Sequence, residues 1–425
     1  MRIQNDFPTG TGMLAGQRWL KNGIALGLLL SLCMAAPWSW AEDPGITNKT
    51  IRIGANMPLE GDSKFNGLAL KQGIEAALSS QSVQGRHVEF TAINDFYEPT
   101  KSLEAINQLI EKGIFLVLGS YGTPTTKAIL PVLAENKVPV LGPYTGAAFT
   151  GPGDVLNFRA SYASEVESTI NTVLASGLKP TEICGYAQND AYGMSGIKGM
   201  RAALAKQPGT DSIVAKLDQV LNLSGDDPER NNIGPVGVYP RGTVSARPGY
   251  LSLKKWETDT GNHCRLVVNV AIYDPAATFM AYARYKGEPW VFSTLSNASG
   301  DKLKDLLEGQ GITDRVIATQ IVPPLDSVLP VVTEARKALG QNLDYLSLEG
   351  YIVGKLFLTV ALAIDGPLTR ENFLKAARRQ PYDIGGIKVD FTTSNQGSNF
   401  VLLTHLQAGN FTPVRPGDLE SMLKQ

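Results

Sequence analysis

Thr123 and the pair Thr145-Gly146 sit in two short loops of Gly, Tyr, Thr and Pro within the stretch 119–146, GSYGTPTTKAILPVLAENKVPVLGPYTG. A threonine hydroxyl beside the unpaired N–H groups that open a helix can hold an anion by charge-assisted hydrogen bonds, with no buried cation. Tyr121, Tyr144, Tyr162, Tyr192 and Tyr273 add aromatic faces suited to a flat or apolar body. This is binding chemistry, and it needs no catalytic side chain. The plainer readings are that each threonine only caps a helix, favoured for Thr125, and that single tyrosines are half-buried core. Tyr121 and Tyr192 are the stronger ligand contacts because they stand in the loops themselves, while Tyr162 also suits a hinge. Arg159 reads as a structural residue that bonds between lobes, although an arginine can also hold an acidic ligand.

Motifs for chemistry are weak by comparison. Gly193-Met194-Ser195-Gly196 lacks the last glycine spacing of a nucleophile elbow, and the segment 350–355 is one residue short of a phosphate loop and lacks its Ser or Thr. The three histidines, His87, His263 and His405, have no second His or Cys at a metal-ligand spacing. No enzyme, metal or cofactor is expected. Asp226-Asp227 reads as solvated loop, with too few spaced oxygens for calcium.

The loops that matter follow hydrophobic runs at 114–118 and 138–141, each read as a strand. Strand 51–56 and strand 88–93 precede them, separated by amphipathic helices whose apolar faces are Leu70, Ile74, Ala77, Leu78 and then Leu103, Ile106, Leu109, Ile110. Four such units imply a right-handed, doubly wound parallel sheet with strand order 2-1-3-4. The loops 57–65 and 120–125 would then face each other at the switch point. The alternation restarts after residue 162, with strands at 183–187, 266–272 and 291–292 and loops at 188–192, 273–278 and 293–299. Between Gly209 and Tyr250 the chain is rich in Gly, Pro and Asn and reads as an inserted surface loop. A helix at 349–364 has an almost wholly apolar face, which packing between lobes or within one would explain. The tail holds strands at 386–391 and 400–405, consistent with a return to the second lobe.

The chain has 425 residues, 43% hydrophobic and 19% charged, with formal net charge −1. That length buries a large core and favours more than one lobe, and the charge gives no reason to expect nucleic acid as a partner. Residues 1–41 read as a secretory signal peptide: Arg18 and Lys21 precede an apolar run, and Ser39-Trp40-Ala41 supplies the cleavage site after Ala41. Beyond it no stretch reads as apolar enough to span a membrane. Export takes Cys184 and Cys264 into an oxidising compartment, each at the start of an expected strand. Two unpaired thiols are favoured over a disulfide, because adjacent parallel strands rarely give comfortable bridging geometry.

The segments IRIGANMPL, DFYEP, GSYGTPTT, GPYTGAAF, FRASYASEVE and YAQNDAYGMSGIKGMRAAL, in this order and spacing, resemble the type I periplasmic binding proteins of ABC importers, in particular the Leu/Ile/Val-binding group. The similarity runs from about residue 51 to the C-terminus. It implies two Rossmann-like α/β lobes joined by a three-strand hinge: 42–161 plus 324–383 as lobe 1, and 162–323 plus 384–425 as lobe 2. It further places Thr123 and Thr145-Gly146 on a ligand carboxylate, and Tyr192 and Tyr273 on the opposite lobe closing over the ligand. With the loop residues read above, the expected ligand site is Tyr121, Gly122, Thr123, Tyr144, Thr145, Gly146, Tyr162, Tyr192, Tyr273 and Asn297. The implied function is a monomeric periplasmic protein that captures a small molecule, an amino-acid-like or aromatic carboxylate, and presents it to an inner-membrane ABC permease. A sensing module for a receptor or kinase, or a carrier of a larger lipid-like ligand, is the alternative. One departure stands out: amino-acid-binding members set acidic residues of the second lobe against the ligand ammonium. Here the nearest positions are Ser164, with Glu165 adjacent, and a loop 293–299 without a carboxylate. A free amino acid would fit only if Glu165 turns inward.

Overall fold

The computed structural model describes residues 43–149, 153–225, 227–298 and 301–424. The expected signal peptide, Asp226 and Ser299 lie outside the described residues.

The first sheet is built from β1 (Thr50–Met57), β2 (Ser82–Val83), β3 (Arg86–Asn94), β4 (Val117–Leu118), β5 (Val140–Leu141) and β6 (Val155–Leu156). Its order is β2-β3-β1-β4-β5-β6, so the four expected strands stand as 2-1-3-4, all parallel. β1 runs nearly all buried because helices cover both faces, as a parallel sheet requires. The helices Lys64–Leu78 and Tyr345–Leu362 pack backbone to backbone on one face. A Cβ on Gly73 would lie 2.0 Å from the carbonyl oxygen of Ser347, and one on Gly350 2.3 Å from that of Leu70. The helix Tyr345–Leu362 is apolar and long enough to cross a membrane by composition alone, unlike the reading above, yet it is buried in the core of this first lobe. Its hydrophobicity serves packing within one lobe.

The second sheet contains β7 (Ile183–Gln188), β8 (Val236–Tyr239), β9 (Leu266–Val270), β10 (Val291–Thr294) and β11 (Val316–Gln320). After the two-stranded pair β12 (Tyr382–Asp383) and β13 (Lys388–Val389), β14 (Leu402–Gln407) and β15 (Asn410–Pro413) complete it, in the order β15-β14-β11-β10-β9-β7-β8. The region 209–250 is therefore not a surface loop. It holds the helix Asp211–Asn222 and the buried edge strand β8. Arg230 ties it down, donating to the carbonyls of Val220 at 2.9 Å and Leu223 at 2.6 Å and to Asn189 Oδ1 at 2.8 Å.

The chain leaves the first core after Ala160, enters the second at Tyr162, and returns between Ile317 and Ile321. The third crossing comes later than residue 384. Ile384, Val389 and Phe391 pack into the first core, because Gly385 and Gly386, both at positive φ, turn the chain into the β12–β13 hairpin. Only at β14 does it join the second sheet, antiparallel to β11.

Cys184 and Cys264 are joined in a disulfide with Cα atoms 5.6 Å apart, contrary to the free thiols expected. Cys184 is paired in register with Val267, but Cys264 precedes β9 and lies outside the ladder. Its side chain is thus free of the fixed spacing that opposed residues on parallel strands would impose.

Candidate functional site

The loops after β4 and β5 lie side by side at the switch point between β1 and β4. A backbone bridge links Tyr121 to Tyr144, and their rings stack with centroids 5.2 Å apart and planes 11° from parallel. Gly122, at φ 92°, lets the chain turn into the helix Thr123–Glu135 where a Cβ would strike the Tyr97 ring at 2.5 Å. That helix starts without a side-chain cap, which leaves first-turn N–H groups for another acceptor. The hydroxyls of Thr123 and Thr145 meet at 2.6 Å, and Asn157 Nδ2 holds the Thr145 carbonyl at 2.7 Å.

The second lobe answers with three side chains. Tyr162 opens the helix Tyr162–Ala175, capped by Ser161, and Tyr192 lies in the first turn of Ala191–Leu204, capped by Asp190. Asn297 follows β10, and its amide exchanges hydrogen bonds with the Tyr192 hydroxyl at 3.1 and 2.9 Å. Asn66 crosses between lobes, donating to the Asn297 carbonyl at 2.7 Å and to the Tyr121 hydroxyl at 3.0 Å.

Tyr97, Tyr121, Gly122, Thr123, Tyr144, Tyr162, Tyr192 and Asn297 line a narrow cleft between the lobes, with no room for a water molecule in this conformation. Burial raises the pKa of Tyr97, Tyr121, Tyr144 and Tyr192 well above the ordinary phenol value, so all four are neutral donors or acceptors. Among the described residues the Tyr144 hydroxyl has no hydrogen-bond partner. Thr145 stands one bond behind Thr123, and Gly146 lines a wider cleft just outside. That cleft, about 860 Å³, is walled by Pro124, Lys127, Phe149, Met194 and Leu223 among others. Tyr273 is set apart from the cavity: its hydroxyl donates to the Asp62 carbonyl of the other lobe, and its ring meets Phe65 edge-on at 6.1 Å.

Sequence reasoning missed Tyr97 and Asn66. Tyr97 packs edge-on against Tyr121 at 5.6 Å and accepts from Gln188 Nε2 of the second lobe at 3.2 Å. Its signal was available in the turn DFYEP, where Tyr97 itself has φ 62°. Asn66 had none, being one polar residue in the first helical turn.

Glu165 does turn inward, but it faces other protein groups. Its carboxylate accepts from Ser296 N at 2.8 Å, Ser296 Oγ at 3.0 Å and the Thr319 hydroxyl, with Arg159 Nη2 at 3.6 Å. Arg159, 1% exposed, also donates to Ser296 Oγ, and its Nε lies 3.8 Å from Glu349. Burial works against the charge of Arg159, but Glu349 foremost and Glu165 further on outweigh it, so its pKa is raised. Burial pushes Glu349 up to about 7, with Arg159 opposing and Glu165 adding to the rise. The guanidinium lies 4.6 Å from the centre of the Tyr144 ring and 5.3 Å from that of Tyr162, so this charged group backs the cavity wall. No group of three His, Cys, Asp or Glu side chains among the described residues is arranged to hold a metal ion.

Two α/β lobes with a cavity at the facing strand ends have the type I periplasmic binding protein fold. A solved structure of a possible leucine/isoleucine/valine-binding protein from Rhodopirellula baltica matches with TM-score 0.77 at 27% identity, covering 87% of this chain and 98% of that one. A fatty acid ABC transporter substrate-binding protein from Thermomonospora curvata shares the fold at TM-score 0.70 and 17% identity, over 89% of this chain and 96% of that one. The family model described as periplasmic binding protein matches residues 50–229. In sequence, Leu/Ile/Val-binding protein homolog 3 of Brucella melitensis is 28% identical over 188 residues, 43% of this chain and 50% of the relative. The chain thus spans about half the length of that curated relative. Residues 50–229 thus resemble the periplasmic binding protein family, and the chain is similar to proteins named as Leu/Ile/Val-binding.

Proposed function

We propose that this chain is the periplasmic solute-binding component of an ABC importer, capturing one small molecule between its lobes and presenting it to an inner-membrane permease. The observation that carries the reading is the narrow interlobe cleft, walled by tyrosines of both lobes, with the bonded Thr123–Thr145 pair at an uncapped helix start. The hydroxyls and first-turn N–H groups hold a carboxylate or similar polar end, and the rings hold a flat apolar body. Gly122, Thr123, Tyr121, Tyr144, Tyr162, Tyr192 and Asn297 contact the ligand, Thr145 and Gly146 support them, and Tyr273 closes the cleft. Export follows cleavage after Ala41, and the mature protein acts as a monomer. The adjoining cleft of about 860 Å³ favours a second reading, a longer apolar ligand whose far end leaves the cavity.

The test is native mass spectrometry of the mature protein for a co-purified molecule, followed by thermal-shift and small-angle scattering screens over amino acids, aromatic acids and fatty acids. A ligand that raises Tm and compacts the particle is expected. An empty protein with no response to any of the three classes would overturn the reading.

A further inference from the structure

We infer that the molecule held in the tyrosine cavity carries no α-ammonium group, and that the site selects aromatic carboxylic acids over the amino acids of the same skeleton. The inference rests on the proposed ligand site and narrows its ligand.

The cavity wall is made of five tyrosines, Thr123, Gly122 and Asn297, with no carboxylate. Each acid nearby is already committed. Glu165 is held by Ser296, Thr319 and Arg159. Asp95 accepts from Asn56 Nδ2 at 2.8 Å, Ser102 Oγ at 2.9 Å and Tyr97 N at 2.9 Å. Asp190 accepts from Gln188 Nε2 at 2.7 Å and Tyr192 N at 2.9 Å. Glu349 stands against Arg159. An ammonium brought into this space would lose its water shell and find no counter-charge.

Unsatisfied donors point the opposite way. Among the described residues, the Tyr144 hydroxyl and the Nε and Nη1 groups of Arg159 are buried without a hydrogen-bond acceptor. Behind the Tyr144 and Tyr162 rings the Arg159 guanidinium is already matched by Glu165 and Glu349, so neither carboxylate is left over for a ligand cation. The loop after β10 contributes only the neutral amide of Asn297 to the wall, and its Oδ1 already accepts from Tyr192. Near-parallel Tyr121 and Tyr144 favour a planar body.

The experiment is calorimetric titration of the mature protein with matched pairs that differ only in the α-amino group: 3-phenylpropionate against phenylalanine, and 3-(4-hydroxyphenyl)propionate against tyrosine. The acid without the amine should bind at least 100-fold more tightly in each pair. Asn297→Asp, nearly isosteric, should move the ratio at least 10-fold toward the amino acid. Equal or tighter binding of the amino acids to the wild type would overturn the inference while leaving the binding function intact. Binding of neither member of either pair would overturn the assignment to aromatic acids. An empty cavity in native mass spectrometry as well would bring down the proposed function with it.

Discussion

Replacing Glu349 with Gln isolates a buried carboxyl whose titration falls near neutral pH. Glu349 is 3% exposed and lies 3.8 Å from Arg159 Nε, so solvent screens it little. Its pKa rises from 4.5 to about 7, chiefly through burial. Between those values the folded protein keeps a proton that the unfolded chain releases, so stability falls as pH rises through this window. The whole penalty, about 3 kcal/mol at 1.36 kcal/mol per pH unit, is in place by pH 8 and absent below pH 4.5. For a chain of this length the unfolding entropy is roughly 0.8 kcal/mol/K, which makes the penalty about 4 °C in Tm. The assay is differential scanning fluorimetry of wild type and Glu349→Gln at pH 5 and pH 8. The constant cost of the substitution, including its weakened pairing with Arg159, cancels when the two Tm differences are compared. Asp95 and Asp190, also raised by burial, titrate alike in both proteins. The variant should gain about 3 °C on the wild type between pH 5 and pH 8, part of the penalty being already present at pH 5. Equal losses for both proteins over that interval would refute the argument.

Three further outcomes follow from contacts described above. Reducing the Cys184–Cys264 bridge, which spans a sequence separation of 80, should lower stability by about 4 kcal/mol in a chain-entropy account, seen as a lower Tm with reductant and no such shift in a Cys184→Ser/Cys264→Ser variant. Gly73→Ala should cost about 3 kcal/mol, because its Cβ would lie 2.0 Å from the Ser347 carbonyl and force two helices apart; an unchanged Tm would contradict the close packing. Thr123→Val removes the hydroxyl bonded to Thr145 and should weaken ligand binding about 10- to 100-fold in calorimetry, with a stability loss of about 1–2 kcal/mol. Wild-type affinity in that variant would show that Thr123 only shapes the loop.

The first lobe was legible because β4 and β5 lie in apolar runs that end in Gly, Tyr and Thr, and burial on both sheet faces demands such runs. The loop residues Tyr121, Thr123 and Tyr144 could be named for the same reason. What failed depended on distant partners. β8 is only four residues between Pro235 and Pro240, and its strand character comes from pairing with β7. The strand expected at 386–391 alternates suitably, but two glycines fold it onto Tyr382–Asp383. The disulfide turned on Cys264 lying ahead of β9, outside the ladder. The expected strand start at 266 already places it there, while free thiols are expected only with both cysteines on adjacent strands. Whether Glu165 would face a ligand depended on Ser296 and Thr319, more than a hundred residues away. Asn66 joins both lobes through contacts that no local pattern announces.

A cavity with no room for water also sets a clock. On the proposed function, the bonds from Asn66 to the Asn297 carbonyl and from Tyr273 to that of Asp62 must part before a solute enters between the lobes. Observed association should then climb with solute concentration only until it reaches the opening frequency, and level off there. A protein built this way answers scarcity by affinity but abundance by its own breathing rate, which is fixed by side chains such as Asn66 and Tyr273 at the seam between the lobes.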